Sequence, residues 1–170
     1  MYLPTPNEYS GFYTNYIQKS IQHENLLQGL TSEFATTLNL LNNLAAEKHS
    51  YRYAEGKWSI KELIVHLSDA ERVFAYRALR FARQDKTALA SYDENLFVAT
   101  SKADQRDFQA ILQEFSAVRA ATIQLFSSFD AIDLQQIGTA NDYQLSVRAL
   151  GYTILGHELH HRQILQERYL

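Results

Sequence analysis

The chain has 170 residues, enough for roughly one domain, and its 46% hydrophobic and 21% charged content excludes a disordered or fibrous protein. Sixteen basic against nineteen acidic side chains leave a net charge of -3, which argues against a general electrostatic grip on nucleic acid. There is no cysteine, so disulfides, thiol nucleophiles and thiolate ligands are excluded, and any metal must be held by nitrogen and oxygen.

The only prolines are Pro4 and Pro6, so the interior is poor in helix breakers and long helices are expected. Asn7 to Gln22, rich in Tyr and Phe, reads as a short helix or cap ahead of the main body. The first long helix is marked by Leu27, Leu30, Phe34, Leu38, Leu41 and Ala45, whose steps of three and four place one apolar stripe on one face. A second begins at Ser59, an N-cap with Glu62 three residues on as its capping box. It runs through Ile60, Leu63, Leu67, Ala70, Phe74 and Phe81. Gln84 to Asp107 is long for a loop and carries Leu96, Phe97 and Val98, which predicts a crossover containing a short helix. The third helix follows Phe108, Ile111, Phe115, Val118, Thr122, Leu125 and Phe129. The fourth starts near Ser146 and carries Val147, Leu150, Ile154 and Leu165. Strand signals are sparse and no Asn-Gly or Asp-Gly turn occurs. The expected fold is all-α: one domain over residues 1–170, a four-helix bundle with a short N-terminal helix and a long crossover between helices two and three. No apolar run approaches the ~18 residues of a membrane span and no signal pattern opens the chain, so the cytoplasm is the expected compartment.

Histidine carries the chemical information. His157 and His161 lie four apart, and at about 100° per residue they differ by about 40°, so both project from one face. That spacing lets one helix present two nitrogen ligands. Leu150, Ile154 and Ile164 share the face, which should point to the core. His66 lies on or beside the apolar face of the second helix. Three inward histidines on two helices could build a metal site with positions left open for water or substrate. A buried histidine is more often a hydrogen-bonded core residue, and that reading stands beside the metal one. His160 is an alternative to His161, since i and i+3 also share a face. His23 and His49 fall near helix ends and read as exposed.

Other candidates carry two readings each. Trp58 reads first as a staple at the start of the second helix. Asp69 lies one turn from His66 and could orient its imidazole, or be a solvated acid. Glu62, Glu71 and Glu158 are candidate general bases, though Glu62 caps a helix and Glu158 points about 100° away from His157. Tyr76, Arg77 and Arg162 could bind an anionic substrate, and Asp93 with Glu94 could lie near the bundle mouth.

The segments Lys57–Arg72 (KWSIKELIVHLSDAER) and Gly156–Gln163 (GHELHHRQ) resemble the second-helix and last-helix motifs of the DinB-like (YfiT-like) superfamily. Tyr76–Arg80 and Tyr92–Asn95 are similar to its DinB-like subgroup. The resemblance spans about residues 25 to 168. It implies a four-helix bundle holding zinc or nickel through one histidine on the second helix and an HxxxH pair on the last, which are His66, His157 and His161 here. It further implies a metal-dependent enzyme acting on a small molecule, either a hydrolase or a transferase using a low-molecular-weight thiol such as bacillithiol or mycothiol as cosubstrate. Catalytic residues beyond the metal are not set by it, with Asp69, Glu158 and Arg77 as candidates. The rival expectation is a non-catalytic bundle that binds a small molecule or partner, its metal site structural or vestigial. Neither nucleic acid nor membrane is an expected partner, and a homodimer is left open.

Overall fold

The computed structural model describes residues 3–170. Each long helix starts where a short polar side chain satisfies a free backbone amide. Asn25 accepts from Gln28 N, Ser59 from Glu62 N, Asp107 from Ala110 N and Ser146 from Ala149 N. These caps open α2 (Leu26–Asn42), α3 (Ile60–Ala82), α5 (Phe108–Ser127) and α7 (Val147–Ile164), the four helices of the bundle. Glu62 completes the capping box at Ser59, as the sequence predicts. Three short helices accompany them: α1 (Thr14–Ser20), α4 (Glu94–Thr100) inside the crossover and α6 (Ala131–Gln135). The apolar stripes outrun two helices, since α2 stops before Ala45 and α5 before Phe129, which is buried all the same. Leu165 lies in a π-helical turn that extends α7. Among the described residues, no helix is long and apolar enough to cross a membrane.

Strands are few, as expected, and among the described residues they form one short hairpin that no Asn-Gly or Asp-Gly turn announces. β1 (Ile137–Ala140) and β2 (Tyr143–Ser146) pair antiparallel, Ala140 opposite Tyr143. The turn between them is Asn141-Asp142, both at positive φ, 52° and 62°. Asn and Asp tolerate the left-handed region that a two-residue hairpin requires, so the pair does the work of Asn-Gly. Gly138 lies against Phe81, where a Cβ would sit 2.1 Å from the ring. Leu89 joins the hairpin through hydrogen bonds with Thr139 and Asn141, tying the crossover to the strand pair. The last strand residue, Ser146, is also the cap of α7.

Two apolar cores fill the bundle. One gathers Ile17, Phe74, Phe81, Phe126 and Leu150, the other Leu41, Leu63, Ile111, Phe115 and Leu165. Between them lies a polar layer. Arg119 of α5, 1% exposed, donates from Nε and Nη2 to both oxygens of Glu71 on α3 (2.9 and 2.8 Å) and from Nη1 to Glu158 on α7 (2.6 Å). It also donates to the carbonyl of Leu30 on α2, and Thr37 of α2 donates to Glu158 at 2.5 Å. One guanidinium thus ties all four long helices. Burial alone disfavours the cation, but the two carboxylates outweigh it and raise its pKa.

Removing the cation while leaving two buried carboxylates should be severe. Arg119→Met is expected to lower unfolding free energy by about 3–5 kcal/mol, measured by urea denaturation. Adding Glu71→Gln and Glu158→Gln should recover a large part of the loss, because the uncompensated charges are then gone.

Candidate metal centre

His66, Ala70, Phe74 and Arg77 lie along one face of α3 at helical spacing, and His157 and His161 lie one turn apart on α7, packed against it. The three imidazoles converge. His66 Nε2 is 3.1 Å from His157 Nε2, and one nitrogen of each of the three rings lies within 4.8 Å of the other two. The 3.1 Å separation is close to the roughly 3.3 Å between two nitrogens placed tetrahedrally around zinc at ~2.0–2.1 Å. Burial lowers the His66 pKa to about 4. Burial, then the neighbouring imidazoles, hold His157 and His161 well below the ordinary value. All three rings are therefore neutral near pH 7, the form that binds a metal, and in the absence of an ion the His66 and His157 Nε2 atoms are close enough to share a hydrogen bond. An all-nitrogen set of three, with no carboxylate or thiolate among the ligand atoms, suits a first-row divalent metal that takes imidazole ligands.

The other candidates separate clearly. His160 is half-buried, its ring 5.5 Å from that of Tyr16, and it stands outside the nitrogen cluster. His23 sits beside Glu33 (3.2 Å), and His49 stacks on Phe108 with centroids 3.6 Å apart. Asp69 does not orient His66: its carboxylate pairs with Arg72 at 3.2 Å. The candidate bases are occupied elsewhere. Glu62 caps α3 and pairs with Arg52, while Glu71 and Glu158 are held by Arg119. Arg162 pairs with Glu33, Tyr76 is exposed on the outer side of α3, and Asp93 caps α4. Arg77 and Glu94 do line the histidine cavity. So does Trp58, whose ring centroid lies 4.6 Å from that of His66; it walls the site instead of merely stapling the helix.

The cavity holds about 330 Å³, the small end of the range for small-molecule sites. Its outer wall comes from residues that the periodicity gave no reason to choose: Phe12, Tyr13 and Tyr16 from the N-terminal segment, Ser91 and Tyr92 from the crossover, and Asn141 from the hairpin turn. α1 can lie so close because residue 156 is glycine. A Cβ there would stand 1.8 Å from the Tyr16 carbonyl oxygen, and this approach brings the Tyr16 ring to 5.2 Å from that of His157. The segment ahead of α1 is latched by Glu8, which accepts from Ser146 Oγ (2.8 Å) and Arg148 Nε (2.5 Å), with Arg148 Nη2 as a further donor. Burial raises the Glu8 pKa, but hydrogen bonds from Arg148, Thr5 and Ser146 together outweigh it and leave the group at about 2.

A four-helix bundle with a buried three-histidine cluster facing a small cavity defines a class of candidate mononuclear metal proteins. Within that class, a sequence model described as the DinB superfamily matches residues 30–165, and the chain belongs to that superfamily. Among solved structures it is similar to YfiT from Bacillus subtilis, described as a probable metal-dependent hydrolase with an unusual four-helix bundle topology. The TM-score is 0.74 at 16% identity, covering 84% of this chain and 82% of that one, which establishes a shared fold. No curated protein matches the chain.

Two outcomes are expected. His66→Ala, His157→Ala and His161→Ala should each lose bound zinc or nickel in elemental analysis with helicity retained by circular dichroism, whereas His160→Ala should keep it. The Glu8 latch should stabilise the fold above the ordinary carboxylate pKa of 4.5, and its contribution should fade as pH falls from there towards 2. The gap in melting temperature between wild type and Glu8→Gln, present at pH 6, should therefore close near pH 2.

Proposed function

We propose that the chain is a metal-dependent enzyme in which His66, His157 and His161 hold zinc or nickel and a nucleophile from outside the protein attacks a small substrate. The observation that carries this reading is the convergence of three neutral, buried imidazoles at the floor of a cavity open to small molecules. A divalent ion bound there lowers the pKa of a coordinated water or thiol, supplying a nucleophile near neutral pH. The protein's own groups do the rest. The histidines, fixed on α3 and α7, leave the cavity side of the site open. Trp58, Tyr16 and Phe74 wall it with aromatic surface and limit access of bulk water.

Hydrolysis is the first form of this reading, supported by the structural likeness to YfiT. Thiol transfer is the second, and one observation favours it. Glu62, Glu71 and Glu158 are committed to a cap or to ion pairs and do not reach the cavity, which leaves the solvent-exposed Glu94 as the one carboxylate on its wall. Water, the weaker acid, needs help to deprotonate. A small thiol has a pKa of about 8.5 and needs far less.

Activity should be tested on protein loaded with zinc or with nickel, using a panel of esters and amides. A parallel panel should pair electrophiles with several low-molecular-weight thiols. Turnover is expected to fall at least about a hundredfold in His157→Ala and on chelation, and to return when the metal is restored. Asp69→Asn should leave it essentially unchanged. Turnover that survives complete metal removal sinks the reading.

A further inference from the structure

We infer that the substrate is a small organic carboxylate, docked by its anionic group on Arg77 while its other end faces the three histidines. The inference rests on the reading of this cavity as the substrate site and adds the chemical class that it takes. Among the described residues Arg77 is the buried arginine without a carboxylate partner. Arg119, Arg148 and Arg162, the other arginines of the bundle interior and its near surface, are all paired with glutamates. Arg77 is 3% exposed, yet its partners are neutral: Tyr13 accepts from Nη1 at 3.2 Å and the Ala90 carbonyl from Nη2 at 2.9 Å. A buried cation is costly unless a counter-charge is supplied. Here the cavity is where one can be supplied.

The placement suits an anchor. Arg77 follows His66 by three turns, and eleven residues at about 100° each return to within roughly 20° of the same azimuth. Side chains on a helix lean towards its N-terminus, so the guanidinium reaches back along the cavity towards His66. Phe74 lies between the two ends, its ring 5.8 Å from that of His157 and 6.0 Å from Arg77 Cζ. A molecule spanning the cavity would rest on that ring with one end at each group. The planar fork of a guanidinium matches a carboxylate. One such fork with no second cation beside it suits a monoanion better than a phosphate dianion. Glu94, the one acid on the cavity wall, is exposed and forms no ion pair with Arg77.

The test uses the full chain, metal-free and zinc-loaded, titrated by calorimetry with acetate, propionate, benzoate, the neutral isostere benzamide and inorganic phosphate. Wild type, Arg77→Lys and Arg77→Met are compared, with zinc stoichiometry and melting temperature measured on the same samples. The expected result is that benzoate binds wild type in both metal states and benzamide at least about tenfold more weakly. Arg77→Met should lose that preference, Arg77→Lys keep part of it, and zinc stoichiometry stay the same in all three. Wild type that shows the Arg77-dependent preference but takes up no zinc would end the metal reading and leave the anion site standing. Benzoate and benzamide binding alike, or no carboxylate binding at all, overturns the inference. So does binding confined to the zinc-loaded form, where the metal itself would be the acceptor. Phosphate binding more tightly than benzoate overturns the carboxylate class. An Arg77→Met protein that melts early yet keeps the benzoate preference reduces Arg77 to a tether for Tyr13 and the crossover.

Discussion

Arg119 and its two glutamates impose the constraint on which the bundle rests. An apolar core tolerates a helix sliding by a fraction of a turn at modest cost, but a buried ion pair does not, because any slip leaves a charge unmatched. The bidentate grip on Glu71 sets α5 against α3, the bond to Glu158 sets α7 against both, and the Leu30 carbonyl and Thr37 bring in α2. The same register puts His66 opposite His157. Glu158 adjoins His157 in sequence, so α7 points a carboxylate to one side of the layer and imidazoles to the other. Glu71, Arg119 and Glu158 thus border the same small gap in the packing as His157.

The parts of this arrangement legible in the sequence are those that obey a period. The stripes mark the four long helices, the cap at Ser59 marks the start of one, and the start expected near Ser146 is where α7 begins. His66 and the His157–His161 pair were picked out by type and spacing, and the structure brings them together. The Arg119 layer left a weaker mark. Arg119 falls four residues after Phe115 and three before Thr122, on the apolar stripe, and Glu71 stands in the same relation to Leu67 and Phe74. A charge inside a stripe signals a buried partner, but nothing in one sequence says which partner. Asp69 shows the converse: one turn from His66 by number, it turns outward to Arg72. The hairpin was hidden because Asn141-Asp142 adopts a conformation usually flagged by glycine.

The outer wall of the site was illegible for a different reason. Phe12, Tyr16, Tyr92 and Asn141 come from segments with no repeating pattern, and only tertiary packing assembles them. Gly156 carries no side chain, and its importance lies in the backbone of another helix being able to occupy that space. The Glu8 latch likewise joins groups some 140 positions apart in the chain. Long-range fits of this kind decide which molecules reach the histidines, while the local pattern decides only that the histidines are there.

The position of α7 has a consequence for how the site comes into being. It supplies two of the three histidines and is packed against α1, α2 and α3, its residues from Ala149 to Glu158 buried on every side. It is also the last of the four long helices in chain order. During synthesis the earlier helices must wait with their inner faces uncovered, since the element that fills the space between them emerges last. His66 is separated from its partners by more than ninety positions for the same interval. Completion of the three-histidine cluster is therefore a late event in the life of the nascent chain, and a chain interrupted before α7 would expose apolar surface and lack the cluster.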